Sequence, residues 1–81
     1  MPWRVIAYGD EVWHVAAVAQ RRPHMVSWEL VLSFRGTSGK VRDRSFWAPF
    51  PLEATSKSAL FLQAEQIPDK ALASFLAGRS V

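Results

Sequence analysis

Residues 26–34, VSWELVLSF, alternate large apolar side chains with smaller or polar ones without a break. Val26, Trp28, Leu30, Leu32 and Phe34 recur at a period of two, with Ser27, Glu29, Val31 and Ser33 between them. A strand sends successive side chains to opposite faces, so the first set is expected on one face, against a core. At helical spacing the same residues would scatter around the axis. The remaining residues must supply this strand with neighbours and cover its apolar side.

Before it, PWRVIAY and VWHVAAVAQ are rich in β-branched and aromatic residues and read as strands. The Gly9-Asp10 pair between them favours a tight hairpin, because glycine accepts positive φ. RRPH is the next turn, where Pro23 fixes its own φ and offers no donor. After VSWELVLSF, the loop GTSG leads into KVRDRSFW, expected to return as a fourth strand. APFPLEATS reads as an extended linker, since Pro49 and Pro51 forbid a regular helix. SKSALFLQAEQ and PDKALASFLAG then read as helices. Leu60, Phe61, Ala64 and Ile67 form one apolar stripe; Ala71, Leu72, Phe75 and Leu76 form the other. Serine caps the first, Pro68 and Asp69 suit the first turn of the second, and Gly78 suits a left-handed stop.

The fold class is therefore α+β: a four-stranded antiparallel β-meander followed by two short C-terminal helices packed on one face of the sheet. The expected strands are about 3–8, 12–20, 26–35 and 40–47, and the helices about 57–66 and 69–77, in a single small domain of residues 1–81. At this length a chain buries only roughly 60–65% of its unfolded surface, so stability is thin. No cysteine is present, which excludes disulfides and cysteine-based zinc sites. Packing must do the work, and 49% hydrophobic residues with four tryptophans suit it. No stretch resembles a leader peptide or approaches the ~20 apolar residues of a membrane span, so a cytoplasmic protein without membrane contact is expected.

The net charge of +3 is located in the first half: residues 1–47 hold seven cations and four acids, residues 48–81 three of each. Pairing Arg35 with Lys40 across the GTSG loop sets Phe34 against Val41, Leu30 against Ser45 and Trp28 against Trp47 on the core side. It leaves Arg35, Lys40, Arg42, Arg44 and Phe46 on the other side, with Arg4 or Tyr8 beside them if the first strand's register allows. Cations for phosphates and a ring for base stacking would suit a nucleic-acid platform. Charges on a solvated face that discourage edge pairing are the plainer alternative. Asp43 fits badly, because this register puts it on the core side opposite Leu32, so a sheet edge or a bulge is implied there. Four strands followed by helix also resembles, in topology alone, the transcriptional-coactivator-type and Pur-type single-strand binders, whose motifs do not occur here.

The tryptophans are expected to fill the core, with Trp13 the best candidate for an uncovered face. His14 and His24 match no metal spacing, and no serine sits in a nucleophile-elbow glycine pattern. GTSGK lacks the spacing and the following helix of a phosphate loop. No catalytic, cofactor or metal residue is expected, and the chain does not read as an enzyme. Leu62 lies beside the first helical stripe and is expected outside the core. Spare apolar surface on a domain this small favours self-association. The expectation is a non-enzymatic interaction module that binds a protein partner or itself through the open sheet face or the helices. The alternative is nucleic-acid binding through the basic and aromatic face.

Overall fold

The structure, a computed structural model, describes residues 3–79. Strands β1 (Arg4–Tyr8), β2 (Glu11–Gln20), β3 (Trp28–Gly36) and β4 (Ser45–Ala54) form one antiparallel sheet in sequence order. Helices α1 (Lys57–Glu65) and α2 (Asp69–Arg79) follow and pack on one face, α1 along β4 and α2 along β1. This is the α+β meander with two C-terminal helices that the residue pattern implies. The β1–β2 hairpin closes over Gly9 and Asp10, with Tyr8 paired to Glu11. Gly9 has φ 64° while Asp10 stays at negative φ, the glycine-first pattern of a II′ turn.

Leu30, Leu32 and Phe34 are fully buried, so the alternating ladder does face inward. Val15 joins them from β2, and Leu60, Leu72 and Leu76 close over them from the helices. Phe34 stacks on Phe46 at 5.0 Å and on Phe75 at 6.0 Å, tying β3 to β4 and to α2. Trp28, half-buried at the ladder's start, has the Arg21 guanidinium and the Lys57 ammonium over its ring at 5.3 and 4.9 Å. Val26 departs from the expected pattern: it precedes the strand and is 80% exposed. Leu62 lies outside as its position implied. Ser56 caps α1 by accepting a hydrogen bond from the Ala59 amide at 3.2 Å. Gly78 does not stop α2, which continues through it to Arg79 without a positive φ.

The largest departure is the fourth strand. It begins at Ser45 rather than near residue 40, and it runs through the segment whose prolines suggested a linker. Residues 37–44 form the β3–β4 connection, with a single 3₁₀ turn at Gly39–Val41. The cause is at Gly36, which is buried and carries no Cβ. A Cβ built there would lie 1.9 Å from the Val41 carbonyl oxygen, so the turn can rest on β3 only at a glycine. Val41 itself is buried as a plug. The connection is held by Gly36 N–H donating to Arg44 O at 2.8 Å and Thr37 N–H donating to Val12 O at 2.9 Å. Val12 N–H in turn donates to Ser38 Oγ at 3.0 Å. The prolines are tolerated because β4 is an edge strand. Opposite the Glu29–Leu30 step, β4 carries Pro51 and Leu52 as extra residues, a bulge.

Arg4 joins the sheet to the helices. Its guanidinium, on the helix side of β1, donates to Ile67 O at 2.7 Å, Glu65 O at 3.0 Å and Asp69 Oδ1 at 2.8 Å. These carbonyls lie in the last turn of α1 and the link to α2, where helix geometry leaves acceptors unpaired at the negative end of the helix dipole. The side chain is only 20% exposed and lies 4.5 Å from the Trp3 ring.

Two stability measurements follow from these contacts. Gly36→Ala is expected to lower unfolding free energy by about 1–3 kcal/mol, since the Val41 backbone must move to admit a methyl group. An unchanged denaturation midpoint would show that Val41 does not rest on Gly36. Arg4→Met keeps the aliphatic stem and removes the donors, with an expected loss of about 2 kcal/mol in the same assay, because charged hydrogen bonds to part-buried acceptors are lost.

Candidate interaction surface

The sheet face opposite the helices has no covering layer among the described residues. Strand register lays it out in cross-strand rows. Beyond the Ala7–Val12 pair at the hairpin end, Val5, His14, Arg35 and Ser45 form the first row; Ala16, Ser33 and Trp47 the second; Val18, Val31 and Pro49 the third; Gln20, Glu29 and Glu53 the last. The two central rows carry no charge. Trp47 is 61% exposed there, and Val5, in the first row, 52%. Ala16, Val18 and Pro49 are exposed, and Val31 is half-buried by its neighbours.

The charges lie at the two ends. Arg35 stands in the first row, beside the His14 ring, whose buried Nδ1 has no hydrogen-bond partner. Glu29 and Glu53 lie directly opposite each other in the last row. Like charges directly opposite on neighbouring strands repel. Arg22 approaches Glu29 only at 3.8 Å from a side chain that is mostly in solvent, so it offsets little of that repulsion. At this end the β4 bulge opens a groove of about 560 Å³, lined by Pro49, Pro51 and Leu52 with Arg22, Glu29 and Glu53 at its sides. A second cleft, of about 710 Å³, lies between the Gly9-Asp10 turn and the Ser38–Lys40 turn. Among the described residues no group of three His, Cys, Asp or Glu side chains is placed to hold a metal ion. Among the described residues no helix is long and apolar enough to cross a membrane.

The residues expected to share one binding face are separated. Arg35 is on the open face and exposed. Lys40, Arg42 and Arg44 are exposed too, but they belong to the β3–β4 connection and not to a strand. Phe46 is on the helix side, paired with Phe34 and 5.8 Å from Trp13 in an edge-to-face contact. The expected pairing of Phe34 with Val41 slipped β4 by five residues, and an odd slip exchanges the two faces. Arg4 and Tyr8 also alternate with Val5 and Ala7 onto the helix side, as their register with Val15 and Glu11 requires.

Trp13 is corrected in the same way. It is 3% exposed in the core, with Nε1–H donating to Glu11 Oε1 at 3.0 Å. The uncovered tryptophan is Trp47, which sequence reasoning had placed against Trp28 in the core. One signal was present: Phe46, Ala48 and Phe50 recur at a period of two straight through the prolines. That spacing assigns Phe46 inward and Trp47 outward.

Comparison of the chain with protein-family models, curated proteins and solved structures gives no match.

The two tryptophans are expected to respond oppositely to mutation. In dilute solution Trp47→Glu should change unfolding free energy by no more than about 0.5 kcal/mol, the usual range for surface sites. Trp13→Ala should cost about 3–5 kcal/mol through the lost ring and the cavity it leaves. Equal losses in a denaturant titration would contradict the facing assigned to β4.

Proposed function

We propose that this chain is a non-enzymatic interaction module that docks a protein surface on its open sheet face. The observation that supports this most directly is Trp47, a large ring left 61% exposed at the β4 end of an uncharged row. Solitary apolar residues are ordinary on a protein surface; a contiguous set rimmed by polar groups marks an interaction site. Here Ala16, Val18, Val31, Trp47 and Pro49 adjoin one another across three strands, with charges only beyond them. A large ring on a rigid strand is the kind of anchor that carries binding energy at interfaces.

Addition of a strand at the sheet edge is a poorer route. Pro49 and Pro51 offer no N–H along β4, and β1 is only five residues long. Partner recognition through the face is left as the better mode.

A second reading rests on the β3–β4 connection. Lys40, Arg42 and Arg44, all exposed, lead into β4 two residues before Trp47, and Arg35 pairs with Ser45 at that end. Cations beside an exposed indole suit a single-stranded nucleic acid. Asp43 lies within the cluster and reduces it.

The docking reading is tested by placing the photo-crosslinker p-benzoylphenylalanine at Trp47, with exposed Ser74 on α2 as the control position. Protein adducts are expected at Trp47 and not at Ser74, and Val18→Asp should suppress them. Equal yields at both positions would remove the open face from consideration. Oligonucleotide titration addresses the second reading: binding must fall with salt at a slope of roughly −0.7 per phosphate contact on a single strand, and flat titrations at low salt exclude it.

A further inference from the structure

We infer that the partner on the open face is a second copy of this chain, packed sheet to sheet about a two-fold axis that runs across the strands between the two central rows. The inference rests on the docking reading above and adds the identity of the occupant. Its basis is the distribution of charge along the face. One end carries Arg35 beside His14, and the other carries Glu29 opposite Glu53. The acidic row sets two like charges opposite each other, which a lone sheet face gains nothing by doing. A two-fold axis in the plane of the interface and across the strands turns one end onto the other. Arg35 of each copy then lies over the acidic row of its mate, and the repulsion between Glu29 and Glu53 is met by a cation at both ends at once. Self-complementarity of this kind is what an isologous interface requires. An axis along the strands would instead set the Arg35 row over itself and the acidic row over itself.

The same axis keeps β4 over β4. Trp47 of each copy then faces the partner's Pro49, at the mouth of the groove that the bulge opens. An aromatic anchor entering a groove, with charge pairs toward both ends of the strands, is the arrangement of a specific interface. Sheets stacked face to face also keep their strands within about 30° of alignment, which this axis allows.

Size sets the expected strength. The four rows span roughly 20 Å along the strands and, beyond the first row, three strands of roughly 15 Å in width, so each copy contributes on the order of 300 Å² in plan. The pair therefore falls in the class of weak, transient interfaces, below the about 1,200 Å² of total buried surface at which stable ones start. A reversible, concentration-dependent dimer with a dissociation constant on the order of micromolar is the expectation.

Sedimentation of the full chain from about 1 μM to about 1 mM is the test, a range that brackets such a constant. The wild type is expected to pass from monomer to dimer. Trp47→Glu should remain monomeric, with its circular dichroism unchanged to show that it folds. Arg35→Glu should weaken the dimer at least tenfold, Glu29→Arg should do the same, and the two together should restore it, because the axis sets β3 over β3 and Arg35 over the partner's Glu29. A dimer that Trp47→Glu leaves intact uses another surface and overturns the inference, as does a charge exchange that fails to restore association. A strict monomer throughout also overturns it. In that case the crosslinker at Trp47 separates the two claims: adducts of other masses leave the docking face standing with a different partner, whereas their absence removes both.

Discussion

The Val41 backbone rests on the bare Cα of Gly36, and that contact decides which side of β4 meets water. Any side chain at position 36 would hold the turn away from the sheet. With glycine there, the connection folds back, Val41 is buried, and the strand cannot begin before Ser45. From that start, alternation is automatic. Phe46, Ala48 and Phe50 turn toward Phe34, Leu32 and Leu30, while Trp47 and Pro49 turn away. A start displaced by one residue would bury Trp47 and expose the two phenylalanines. The surface on which the functional reading depends is thus a consequence of a packing contact on the opposite side of the sheet.

The order of elements was legible because it is local. Periodicity in residues 28–34, turn chemistry at Gly9 and the capping serine at 56 each act over a few residues. Register between β3 and β4 is not local, since it depends on how eight intervening residues fold. Two residues bore on the misreading. Asp43 had no acceptable place in a strand beginning at Lys40, and its discomfort belonged to the strand assignment rather than to a sheet edge. Pro49 and Pro51 were read as breakers, which holds for a helix or a central strand but not for an edge. Of the candidate face, only Arg35 survives on the sheet, because five residues of slip moved the other cations into the connection and turned Phe46 inward. The tryptophans show the same limit: composition says that rings will fill the core, but only register says which ring is left over.

The helices cover one face because the chain after β4 is short and its two stripes are directed the same way. Arg4 holds that arrangement. It takes up carbonyls that α1 leaves open at its end and reaches the first residue of α2, so a side chain from the first strand fixes the angle between elements some sixty residues away. A lysine in its place would carry the charge without the planar fork that engages several acceptors together. This guanidinium and the buried Leu60, Leu72 and Leu76 keep both C-terminal helices on the same side of the sheet, and nothing in the described chain is left to cover the other.

That one-sidedness bears on how so small a domain is stabilised. Its core draws on inward residues from all four strands and both helices, yet the opposite face retains valines, alanines and a tryptophan at positions where a solvated sheet would carry polar side chains. An antiparallel sheet with one wet face ordinarily shows a clean polar alternation. Here the alternation fails at the centre of the face and holds only at its ends. Edge protection points the same way: a short β1 and a β4 with prolines guard the edges against pairing, while the broad face has no comparable safeguard against contact. The selective absence of protection at one surface, in a chain that protects its others, is the physical reason for assigning recognition to that face rather than to the edges, the turns or the helices.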